Sequence, residues 1–366
     1  MNNQIPPTSI PSKKNGKIEF YRFLFCIFVL FFHIQKYILK PSLQDSGIHL
    51  AFFLHGSIGV EFFFVLSGFL MAKSVNASRS NSTKPIASRC LSFMKRKYRS
   101  VFPYHCIAFV LVFLSLILTD DSYQSQPILK LIDSIPNFFL VEMTGISFSN
   151  PNHIEWYLSC MLIAMAIIYP ILLKFYDSFT HYFAPLFALL ICGYIIYTTG
   201  SLTGVSVWMG ICYKSLWRAM AEISLGTFAF EFSKQLSSRS FTKRSRFFLT
   251  VSEIFCLLMT TIFVMTTLPI KYEIYALIAV FFIISISFSE QSYGTKLFNH
   301  KFVYFLGKLS LPIYLAQIAA INLDIAYFYS YRFLIQMLIT IVLTFLLAIP
   351  VLFLGNALLK HFVGRR

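Results

Sequence analysis

Ten apolar runs, each of the length that crosses a lipid bilayer, follow one another along the chain near 20–39, 56–74, 101–119, 155–173, 182–199, 215–233, 247–267, 272–289, 302–321 and 333–357. A spanning helix needs about 20 predominantly apolar residues, and in hydrocarbon the backbone must satisfy its own hydrogen bonds, so runs of this kind predict helices. Of the 366 residues 57% are apolar and 13% charged, where a soluble domain carries roughly 25% charged. With a mean hydropathy of +0.69, too little polar surface is left to cover a soluble core of this length. The expected fold class is all-α: a polytopic membrane helical bundle of about ten transmembrane helices. The stretch 127–143 is shorter and holds Pro127, Lys130, Asp133, Pro136 and Glu142, so it reads as an interfacial segment rather than a span.

The net charge of +16 could point to nucleic acid, but such a partner needs the charge gathered on a folded polar domain, and no stretch here is long enough to form one. Membrane topology accounts for it better. When the spans alternate from an inside N-terminus, 22 Lys and Arg fall on the inner side and six on the other, so positive-inside retention puts both termini in the cytoplasm. The chain then divides into a tail at 1–17, a membrane domain at 18–360 and a tail at 361–366. Polar, Pro-rich residues lead into the first span, which lacks a small-residue cleavage site and reads as uncleaved. Seven cysteines, most inside apolar runs, show neither a disulfide framework nor metal-ligand spacing, and no metal site is expected.

An ionisable side chain within a span costs a few kcal/mol or more and is a functional candidate by default. Arg22 and His33 share the first span, and at about 100° per residue their separation ends about 20° past three full turns, so both face one way. Glu61 on the second span, counted from the inner helix ends, comes to the same depth as His33. An antiparallel hairpin would then bring a carboxylate to an imidazole, which fixes a His tautomer and stabilises the cation it forms on taking a proton. Arg218 and Glu222, four apart on the sixth span, suit either an i,i+4 pair or a substrate contact. Arg96 and Arg99, in the basic run that opens the third span, suit an anionic phosphate, against the plainer reading of positive-inside anchoring.

Together these residues resemble the acyltransferase-3 family of bacterial integral-membrane acyltransferases. Arg22 through His33 looks like its first-helix signature, and Gly59-Val60-Glu61-Phe62-Phe63-Phe64-Val65-Leu66-Ser67-Gly68-Phe69 is similar to its second-helix motif, which more often carries Asp at the acidic place. The stretch Arg96 to Pro103 resembles its basic motif, and Phe305 to Leu315 its late-helix motif. Trp156-Tyr157-Leu158 followed by Pro170 is a further landmark, though Met161 or a neighbour stands where many members have Glu, and Gln317 where the late motif commonly ends in His.

The resemblance implies a multi-pass protein of the bacterial inner membrane, among membrane lipids. It would move an acyl group, in the first instance acetyl, from acyl-CoA to a hydroxyl of a cell-surface or lipid-linked glycan. Acetyl-CoA would be a donor substrate and not a bound cofactor. His33 would act as general base, oriented by Glu61, with Arg22 beside them. Arg96 and Arg99 would hold the donor phosphates, and Trp156, Arg218 and Glu222 would meet substrate. Ser67 reads more readily as a helix-packing residue than as an acyl carrier. The rival reading is a transporter or flippase of a lipid-linked glycan, which intramembrane charges suit equally, although the paired repeats common in transporters are not evident.

Overall fold

Residues 15–39, 52–79, 84–146 and 149–363 are described by a computed structural model. Most of the predicted N-terminal tail, 1–14, and half of the C-terminal one, 364–366, lie outside them, while Gly16 and Lys17 already belong to the first helix. The long helices are α1 (Gly16–Ile34), α2 (Ile58–Ser78), α3 (Ile86–Thr119), α4 (Trp156–Lys174), α5 (Ala184–Thr199), α6 (Lys214–Ser237), α7 (Lys243–Met265), α8 (Glu273–Ser289), α9 (Lys301–Phe328) and α10 (Phe333–Val363). A π-helical turn, Gln35–Leu39, extends α1. Between α3 and α4 the chain forms only short helical pieces, such as Pro127–Asp133 and Ile135–Phe138, so no span forms at 127–143. One two-stranded hairpin, β1 (Trp208–Met209) with β2 (Cys212–Tyr213), precedes α6.

Among the described residues, nine helices are long and apolar enough to cross a membrane. The exception is α6, which carries Arg218, Glu222 and Glu231 within its length. Its place in the bundle explains how it tolerates them, because α2, α4, α5 and α8 surround it and its charges meet protein rather than lipid. The outer helices show the opposite pattern. On α7 the side chains of Phe247, Phe255 and Leu258 are exposed, and on α10 those of Leu338, Leu346 and Phe353, as a hydrocarbon solvent permits.

Small residues set how the central helices meet. A Cβ added at Gly68 would lie 1.9 Å from the Ile223 carbonyl oxygen, and one at Gly226 would lie 2.1 Å from the Val65 oxygen. The α2 and α6 backbones therefore touch, running parallel at an offset that carries Glu61 to the level of Arg218. Against α1 the packing is antiparallel. Phe25 stacks on Phe62 at 4.3 Å between ring centroids and Phe31 on Phe53 at 4.6 Å, which fixes the hairpin register. The register places Glu61 beside the level of Phe25, about eight residues, or roughly 12 Å, short of His33. The equal depth expected for His33 and Glu61 is thus corrected, because counting from approximate helix ends ignored where the Phe side chains interlock.

The end at which α1 begins, inner in the positive-inside reading, holds a second buried charge network. Lys17 Nζ donates to Glu253 Oε2 at 2.8 Å and to Ser292 Oγ at 2.9 Å, and the Tyr21 hydroxyl donates to Glu253 Oε1 at 3.1 Å. This ties the start of α1 to α7 and to the turn after α8.

Candidate functional site

Two cavities enter the bundle from opposite ends. The larger, of about 490 Å³, lies where α1, α2 and α4 meet the loops before α4 and α6, and its walls include His33, Lys36, Trp156 and Arg218. The smaller, of about 180 Å³, lies toward the inner end, and its walls include Arg22, Ser67, Lys97 and Met161. Val60 of α2 and Tyr314 of α9 line both.

In the larger cavity, His33 Nδ1 is buried with no hydrogen-bond partner among the described residues, and so is Oε1 of Gln317, whose side chain lies beside the imidazole. Gln317 Nε2 donates to the Tyr314 carbonyl at 2.9 Å, which holds the amide in place. Next to His33, the Tyr37 hydroxyl and His153 Nε2 share a hydrogen bond of 2.7 Å. Burial, and then the Lys36 ammonium, hold the His153 imidazole down at about 4, so it is neutral near pH 7.

Glu61 does not meet His33. Its Oε1 accepts from Arg218 Nη2 at 2.8 Å, while Arg218 Nε donates to Glu222 Oε1 at 2.7 Å. Glu273, on α8, completes the cluster 3.9 Å from the same guanidinium and accepts the Leu202 N–H at 3.0 Å. One cation thus organises three fully buried carboxylates from α2, α6 and α8. The i,i+4 pairing of Arg218 and Glu222 follows the sequence expectation; the role of Glu61 as the orienter of His33 does not. Glu273 was missed because it sits at the mouth of an apolar run, where a carboxylate reads as an interfacial residue.

In the smaller cavity the basic side chain from α3 is Lys97, one turn before Val101 on the same face. Arg96 and Arg99 remain exposed and do not line it; Arg96 reaches Ser74 Oγ at 3.4 Å. Arg22 lines the cavity with its Nη1 donating to Glu19 Oε2 at 3.1 Å. Ser67, on the cavity wall, donates its hydroxyl to Met161 Sδ at 3.3 Å. Composition showed four bases within five residues, but not which one the helix turns inward.

The segment between α3 and α4 is clamped over this assembly. His105 Nδ1 lies 2.8 Å from Glu155 Oε1, and its Nε2 lies 2.9 Å from the Phe138 carbonyl. Nearby, Glu142 is buried with neither carboxyl oxygen hydrogen-bonded among the described residues, and burial pushes its carboxyl pKa up to about 9. From pH 4.5 to about 9 the unfolded chain has lost the Glu142 proton and the folded one keeps it, so this group lowers stability as pH rises through that window. Glu142→Gln is expected to stabilise the protein at pH 8, on the order of 1–3 kcal/mol, and to flatten the slope. Thermal unfolding in detergent at pH 5 and pH 8 checks it.

A helical bundle with ionisable groups in its interior and cavities open to both ends defines a polytopic membrane protein with a buried reaction or transport site. Its family is acyltransferase-3: the model of that family, described as an acyltransferase domain, matches residues 15–355, so the chain belongs to it and is an acyltransferase. Neither a curated protein nor a solved structure matches the chain.

Proposed function

We propose that this acyltransferase takes its acyl group, acetyl in the first instance, from acyl-CoA at the inner face of a bacterial cytoplasmic membrane and delivers it to a glycan hydroxyl in the outer cavity. The observation that carries this reading is the pair of cavities meeting at Val60 and Tyr314. A thioester can enter from one end and a hydroxyl from the other, and the two reactants need not share an entrance.

The inner cavity is too small for a nucleotide. At about 180 Å³ it is close to the about 150 Å³ hollow that accepts one benzene ring, so it suits the thioester end of the donor. The phosphates then stay outside, where Arg96 and Arg99 are exposed, while Lys97 and Arg22 line the cavity itself. On the outer side His33, whose level on α1 lies about 10 Å from that of Val60, takes the proton of the attacking hydroxyl through a bridging water. The hydroxyl oxygen bonds to the acyl carbon, the carbon–sulfur bond breaks, and the departing thiolate takes a proton on the inner side. Arg218, held by its carboxylates at the wall of the outer cavity, contributes a fixed positive field for the developing oxyanion. Trp156 offers an apolar ring face beside the acceptor sugar.

The test uses purified protein in liposomes with labelled acetyl-CoA on the inner-end side and a surface-glycan extract on the other. Label in the glycan supports the reading; glycan translocation without label would establish the transporter instead. In the same assay Lys97→Gln is expected to raise the KM for acetyl-CoA about tenfold with a smaller change in kcat. An unchanged KM removes Lys97 from the donor site.

A further inference from the structure

We propose that Val60 and Tyr314 form a one-layer septum between the two cavities and that this septum limits the length of acyl group the protein transfers; the length limit rests on the acyl-transfer reading above. Both residues are 5% exposed, and they are the residues that line the inner and the outer cavity alike. The Tyr314 ring is held from two directions. Its hydroxyl donates to the Ile154 carbonyl, and its ring meets that of Tyr157 edge-to-face with centroids 5.8 Å apart. The first turn of α4 crosses the same plane: Trp156 lines the outer cavity, whereas Tyr157 and Leu158 line the inner one.

The chemistry makes this layer selective. Sulfur arrives from the inner side and the hydroxyl attacks from the outer side, so the acyl carbon must come to the septum with its alkyl tail still attached. The inner cavity gives that tail little room, because Phe63, Leu66, Met161 and Leu311 wall it. A tail of one or two carbons fits beside Val60, and a longer one displaces Val60 or Tyr314. Close-packed apolar walls discriminate by about 10-fold or more for each methylene refused. The septum therefore acts by shape, without touching the proton-transfer step assigned to His33.

Two substitutions at one position move selectivity in opposite directions. Val60→Ala removes volume from the septum and is expected to raise the ratio of kcat/KM for hexanoyl-CoA to that for acetyl-CoA at least tenfold. Val60→Phe fills it and is expected to lower acetyl transfer at least tenfold while the protein remains folded. A hexanoyl-to-acetyl ratio that stays at the native value in Val60→Ala overturns the length limit. A second measurement needs no acyl transfer. In a variant with the seven native cysteines replaced, Ser67→Cys should react with a membrane-impermeant maleimide from the inner end alone. Adding Val60→Ala or Tyr314→Phe should open it to reagent from the outer end. Labelling from both ends before the septum is altered, or from the inner end alone afterwards, overturns the septum. If native protein transfers no acyl group at all, the acyl-transfer reading and its length limit fall, and the labelling alone judges the partition.

Discussion

His33→Ala is expected to lower acyl transfer by about 10²- to 10⁴-fold, the usual contribution of a positioned general base. Folding should be unaffected, because the imidazole lines a cavity and its Nδ1 makes no hydrogen bond within the described protein. The measurement is label incorporation into glycan at saturating donor, alongside thermal unfolding of the same preparation. Full activity in a well-folded variant removes His33 from the chemistry. Glu61→Gln gives the informative contrast. Were Glu61 the orienter of His33, that substitution would shift the pH dependence of kcat/KM. Since Glu61 pairs with Arg218 instead, the pH profile is expected to hold its position and the loss to appear in stability.

Arg218→Met is expected to be the most destabilising single change in the bundle. It strands the carboxylates of Glu61, Glu222 and Glu273, all at most 1% exposed, in the protein interior. Removing one partner of a buried ion pair costs about 3–5 kcal/mol, because the uncompensated charge costs more than the lost attraction. The readout is the melting temperature and the monodisperse yield in detergent. Adding Glu61→Gln and Glu222→Gln to Arg218→Met should recover much of the loss by removing the stranded charges. A single variant as stable as the native protein would mean that the cluster does not hold α2, α6 and α8 together.

The cluster also shows where sequence reasoning reached its limit. That Arg218 and Glu222 pair is legible, since four residues along a helix is one turn. That Glu61 joins them is not, because it depends on two glycines letting α2 and α6 touch at one offset. The helix that carries this charge is the one whose hydropathy falls short of a free-standing span, and only its four helical neighbours make it an interior element. Lys97 gives a similar lesson at smaller scale. It stands beside Arg96 in sequence, yet about 100° of rotation separates a cavity wall from an exposed face.

The number and class of the helices, the lack of a span at 127–143 and the inventory of intramembrane charges were determined by sequence alone. Each follows from a local cost: an apolar residue in water, or an ionisable one in hydrocarbon, is penalised wherever the chain goes. The partner of each charge, the 12 Å or so between the levels of His33 and Glu61, and the meeting of two cavities at Val60 and Tyr314 were decided only in the tertiary structure. Those depend on helix rotation and register, which are fixed by Phe25 against Phe62 and Gly68 against Ile223. Such contacts join residues far apart in the chain, and no local free energy encodes them.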